Sequence, residues 1–139
     1  MKTSLRLLLL LPLLVLGACS DVGSAVDDVA SSAGTRAGCE VAGRAVDEGR
    51  GLVDRVGQEI SGDAAGVRRE LAAAGTAIEA AAPTLTGEVR ALVDRAAAAL
   101  STLRDEAESA AAGSAVDERA VQAAQSEYDR ASDQLRSLC

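Results

Sequence analysis

Apolar residues along the second part of this chain recur three and four apart, the spacing that puts them on one side of an α-helix. Cys39, Ala42, Val46, Gly49, Val53, Val56 and Ile60 form the first such seam. Ala64, Val67, Leu71, Ala74, Ile78 and Ala81 form a second. A third runs through Leu85, Val89, Leu92, Ala96, Leu100, Leu103, Ala107 and Ala110, and a fourth through Val121, Ala124, Tyr128, Ala131, Leu135 and Leu138. No segment alternates with period two, and β-branched residues never cluster, so strands are not expected.

The breaks between seams carry their own chemistry. Ser61-Gly62-Asp63 reads as a turn with Asp63 as N-cap of the second helix. Pro83 lacks an amide donor and crowds Ala82 out of helical geometry, which predicts a stop there. Thr84 or Thr86 is placed to cap the third helix. Gly113-Ser114 interrupts the third seam, and Ser114 with Asp117 resembles a short capping box for the fourth helix. On that last helix Glu127 with Arg130, and Asp133 with Arg136, stand three apart as surface ion pairs. Gly43, Gly49, Gly51 and Gly57 make the first helix the least secure, since each costs up to about 1 kcal/mol relative to alanine.

Cysteine placement then selects the topology. Cys39 opens the first seam and Cys139 closes the chain. A bridge needs Cα atoms within about 7 Å, so the start of the first helix must lie beside the end of the last. An antiparallel up-down arrangement meets this only with an even number of helices. Three helices would hold the two cysteines more than about 30 Å apart. The fold expected is therefore all-α: an antiparallel up-down four-helix bundle, alanine-rich in its core and stapled by Cys39–Cys139. A long two-helix hairpin is the alternative fold, and an intermolecular bond through Cys139 the alternative fate of the pair. Glu48-Gly-Arg-Gly-Leu-Val-Asp-Arg55 and Glu88-Val-Arg-Ala-Leu-Val-Asp-Arg95 share six of eight residues, which hints at a duplicated hairpin.

The beginning of the chain is organised differently. Lys2 and Arg6 precede a ten-residue apolar block, Leu7 to Leu16, far short of the roughly 20 residues needed to span a bilayer. A positive start, a short apolar core and small residues before a cut site are the anatomy of a secretory signal peptide. Leu16-Gly17-Ala18-Cys19 resembles the lipobox of bacterial lipoproteins. That resemblance implies cleavage before Cys19 and acyl chains, palmitate among them, on its sulfur and freed amine. It implies export and a lipid anchor at the outer face of a bacterial cell membrane, or at an outer membrane if one is present, since Ser20 rather than aspartate follows the cysteine. Residues 1–18 are then the signal peptide, expected to pack against nothing in the domain. Residues 19–38, rich in serine, glycine and aspartate, read as a lipidated N-terminus and flexible spacer, and residues 39–139 as the helical domain. An exported compartment is also one where a disulfide persists.

Composition narrows what such a domain does. Beyond residue 18 the chain has twelve arginines, no lysine and 21 acidic residues. Acidity of that degree argues against nucleic acid and against electrostatic docking on anionic lipid. Histidine, tryptophan and phenylalanine are absent, and Tyr128 is the single aromatic. There is thus no imidazole base, no histidine-activated nucleophile and no ordinary zinc site. Catalytic residues, metal ligands and cofactors are accordingly not expected, nor is an internal small-molecule site in so alanine-rich a core.

The function expected is that of a non-catalytic, lipid-anchored envelope protein acting by protein–protein contact on an unknown envelope partner, or as a structural spacer. Its C-terminal cysteine, and the lack of any lysine after Lys2, exclude the lysine-linked wall attachment of murein-crosslinking lipoproteins. A surface ligand- or cation-binding lipoprotein is the alternative, with Asp105, Glu106, Glu108, Asp117 and Glu118 the densest acidic group. An exposed apolar stripe including Val93 and Val116 would instead mark a regulator's docking face.

Overall fold

The computed structural model describes the backbone of residues 23–139 and side chains from residue 36 onward. It contains four α-helices: α1 (Gly23–Glu59), α2 (Ala64–Ala81), α3 (Gly87–Ala111) and α4 (Glu118–Leu138). Consecutive helices pack side by side, and α4 returns to lie against α1. This is the antiparallel four-helix bundle that the cysteine spacing selects. Its cross-section is skewed: α1 and α3 meet across the bundle, whereas α2 and α4 do not. Small side chains stand among the buried residues of both helices, Ala42, Val53 and Val56 on α1 and Ala96 and Ala107 on α3.

Helix boundaries follow local chemistry. Asp63 caps α2 as expected, its Oδ1 accepting from the Gly66 amide at 2.9 Å. Pro83 ends α2 less abruptly than anticipated. Ala82 keeps α-helical angles, and the chain tightens through a single 3-10 turn, Ala82–Thr84, with the proline in its opening positions, where no donor is required. Thr86 holds the N-cap place of α3 without a side-chain bond, while the Thr84 hydroxyl donates back to Ala81. Gly87 follows at φ +59°, a conformation that costs other residues a Cβ clash.

The α3–α4 connection corrects the expected capping box. Gly113 adopts φ +89°, its amide donates to Ala110 and the Ser114 amide to Ser109. These two bonds are a Schellman closure of α3, so Ser114 ends a helix rather than starting one. Asp117 is the N-cap of α4, its carboxylate accepting from the amides of Arg119 and Ala120.

Four further expectations change. The helical backbone of α1 begins at Gly23, not at Cys39. Gly38 is buried, and a Cβ there would stand 2.9 Å from Leu85 Cδ2 and 3.3 Å from the Thr84 carbonyl. That glycine lets α1 pass close over the α2–α3 connection, which a composition count mistakes for looseness. Val93 is buried, at 1% exposure, and Val116 is half-buried against the core, so neither forms an exposed stripe. Leu138 is 46% exposed instead of facing inward, because the last turn of α4 runs past the end of the core. The pair Asp133–Arg136 does not form; each partner reaches across to α1.

The glycines of α1 divide by environment, and this gives a stability prediction. A Cβ on Gly49 would fall inside the Tyr128 hydroxyl, whereas Gly43 and Gly75 have nothing within 4 Å of the added atom. Gly49→Ala should therefore destabilise by about 1–3 kcal/mol through overpacking. Gly43→Ala and Gly75→Ala should each stabilise by roughly 0.5–1 kcal/mol through helix propensity. Urea melts followed by helical circular dichroism read both signs.

Candidate functional site

Cys19, the expected lipidation site, lies outside the described residues, as does the signal segment. The described chemistry is concentrated where α1 meets α4. Cys39, 8% exposed near the point where α1 joins the core, is bonded to Cys139, with Cα atoms 5.6 Å apart. The bridge closes a separation of 100 residues. Beside it opens a surface cleft of about 440 Å³ lined by Arg36, Glu40 and Leu138 with the two cysteines.

From the bridge inward, α4 side chains address the α1 backbone directly. The Tyr128 hydroxyl donates to the Val46 carbonyl at 2.7 Å, and Gln125 Nε2 donates to the Val53 carbonyl at 2.6 Å. Such bonds need the helices close together, and Gly49 provides the room. Outside these, Arg50 donates to Asp129 at 3.1 Å and to Asp133 at 2.8 Å, and Arg136 donates to Asp47. These pairs are half-exposed, so each is worth at most about 1 kcal/mol; their value lies in register along the seam. The hydrogen bond to Asp133, ahead of that to Asp129, raises the Arg50 guanidinium's pKa further.

Tyr128 is fully buried. Burial pushes its phenol pKa well above the ordinary value, and the charge of Asp47 adds to the shift. A phenol held protonated in this way is a structural donor. Ser132, one turn on, is also fully buried, and its hydroxyl has no partner among the described residues.

Of the acidic residues flanking the Gly113 turn, Glu106 and Asp117 are engaged in helix termination. Glu106 accepts from the Asp117 amide at 3.0 Å, Asp117 caps α4, and Asp105 pairs with Arg104. Among the described residues no three acidic or cysteine side chains converge as metal ligands would. Between α3 and α4 runs a shallow surface groove of about 520 Å³, floored by Ala98, Ala99, Ala123 and Ala124 and edged by Arg95 and Glu127. Among the described residues no helix is long and apolar enough to cross a membrane.

Sequence reasoning reached Cys39, Cys139 and the inward position of Tyr128. It missed the bonds from Tyr128 and Gln125 to α1 carbonyls, because periodicity marks which face is buried and not what a polar tip finds there. The combination of a lone buried tyrosine with a glycine on the facing helix was the available signal. No family model, curated protein or solved structure matches this chain.

Tyr128 supplies a pH test. Its protonated form is favoured in the folded state, so the stability it contributes is complete below the phenol's unfolded pKa of about 10 and declines as pH rises above it. Histidine is absent, both described cysteines are bridged and no lysine follows Lys2, so tyrosine is the one side-chain type in the described domain that ordinarily titrates near that pH. Tyrosinate absorbance should therefore appear together with loss of helical dichroism. Titration near pH 10 with the helices intact would contradict the burial.

Proposed function

We propose that this chain is a lipid-anchored helical protein of the bacterial cell envelope, acting without catalysis through protein–protein contact or as a spacer. The observation that carries the reading is Leu16-Gly17-Ala18-Cys19 placed after a positively charged start and a ten-residue apolar block. The Cys39–Cys139 bridge agrees with it, since such bonds persist in oxidising compartments and are rare in reducing ones. An acidic surface has no electrostatic hold on anionic lipid, so attachment falls to acyl chains, and two or more of these anchor stably where one does so only marginally.

Within this reading the bundle's exterior is the working part. Its core positions are filled by apolar side chains, mostly leucine, valine and alanine, and Glu106, Asp117, Arg50 and Arg136 serve capping or hold α1 to α4. A partner would meet the outer faces, among them the alanine-floored α3–α4 groove.

Expression of the full chain in a bacterial host tests the anchor. The wild-type protein should fractionate with membranes and show an N-terminal peptide that begins at Cys19 and carries diacylglycerol and amide-linked acyl mass. Cys19→Ser should be released into the soluble fraction or remain at unprocessed mass. Membrane retention of Cys19→Ser at the normal processed mass would refute the lipoprotein reading.

A further inference from the structure

We infer that the bundle stands end-on from the membrane on the first part of α1. The Cys39–Cys139 end faces the lipid, and the turns at 60–63 and 112–117 face away. This rests on the lipid-anchor reading of Cys19 and deepens it. Three observations carry it. The α1 backbone is continuous from Gly23 through Glu59, so the chain enters the bundle as a helix rather than through a loop. That entry point is fixed: Gly38 packs on Thr84 and Leu85, and Cys39 is bonded to Cys139. Only residues 20–22 separate Cys19 from the start of the helix.

The lengths are simple to set out. From Gly23 to Gly38 the helix rises about 22 Å at 1.5 Å per residue. The link from Cys19 to Gly23 adds at most about 14 Å when extended. The 25 residues of α3 give the bundle a length of about 37 Å, so with α1 standing along the membrane normal the far end lies about that much further from the lipid than the near end. Charge favours the same posture. After residue 18 there are twelve arginines against 21 acidic residues, and a body of that sign is repelled when laid along anionic lipid.

The polarity assigns a place to the disulfide. The anchor reaches the bundle through the segment of α1 next to Cys39, and the bridge ties the last residue of α4 to that same point. The connection that would otherwise fray at the tethered end is covalent. At the opposite end stand the Asp63-capped start of α2, the Schellman turn at Gly113 and the Asp117-capped start of α4. A partner on another layer of the envelope would meet that end first.

The experiment uses the full lipidated chain, with its disulfide intact, in vesicles of phosphatidylglycerol and phosphatidylethanolamine carrying a headgroup acceptor dye. A single donor dye is attached at Thr86→Cys, at the near end, or at Ser114→Cys, at the far end; both positions are exposed. The inference predicts that the protein floats with the vesicles and that energy transfer is several-fold higher from position 86 than from 114. Flotation with equal transfer from both positions, or with more from 114, would overturn the end-on posture and leave the anchor reading standing. Failure to float would remove the anchor reading and the posture with it.

Discussion

The closure of α1 onto α4 is the constraint on which the rest of this bundle depends. The other neighbouring helices are joined by short turns, so their pairing costs little loop entropy. The two outermost helices have no such turn, and the segments that must meet lie 100 residues apart. Part of the α1 seam also brings little side chain of its own, with Ala42 and Gly49 among its buried positions. Three kinds of interaction close the gap: a covalent bridge at one end, two side-chain bonds to helix carbonyls in the middle, and charged pairs along the rim. Bridging a loop of this size removes entropy from the unfolded chain worth up to about 4.7 kcal/mol in the chain-entropy model, and commonly 2–4. For a domain whose net stability is of order 5–15 kcal/mol, that is a large share.

Glycine has two roles in this closure, and only one is legible from composition. Counted along α1, glycines weaken a helix. Placed in space, Gly49 is the reason a tyrosine fits between α1 and α4 and reaches a backbone carbonyl, and Gly38 is the reason α1 clears the α2–α3 connection. Gly43, with open space around it, retains the ordinary cost. The same residue type is a liability at one position and a contact surface two turns away.

Much of the architecture could be read from residues alone because its signals are local or arithmetical. Seam spacing located the buried faces of all four helices, Asp63 announced its own helix start, and the two cysteines required an even number of helices. What escaped needed three-dimensional neighbours. Val93 lies off the α3 seam yet is buried, since α3 is enclosed by three helices and presents a wider inner face than a two-sided count allows. Asp133 and Arg136 satisfy the intrahelical spacing rule, but Arg50 and Asp47 on α1 are better placed partners. Ser114 lost the cap to Asp117 because the Schellman turn consumes its amide. Function was less legible for a different reason. The lipobox-like motif speaks to location and not to activity, and the most fully engaged polar side chains described, Tyr128, Gln125, Arg50 and Arg136, hold α1 to α4.

The bridge is what chiefly secures α1 to α4, and one comparison tests this directly. Amide hydrogen exchange should be followed on the oxidised protein and on Cys39→Ser with Cys139→Ser, under conditions where both are folded. Global stability should fall by about 2–4 kcal/mol, and protection should be lost first in the stretch of α1 from Cys39 to Val53 and in the last two turns of α4, while α2 and α3 hold. Uniform loss of protection across all four helices, or no loss in α1, would contradict it.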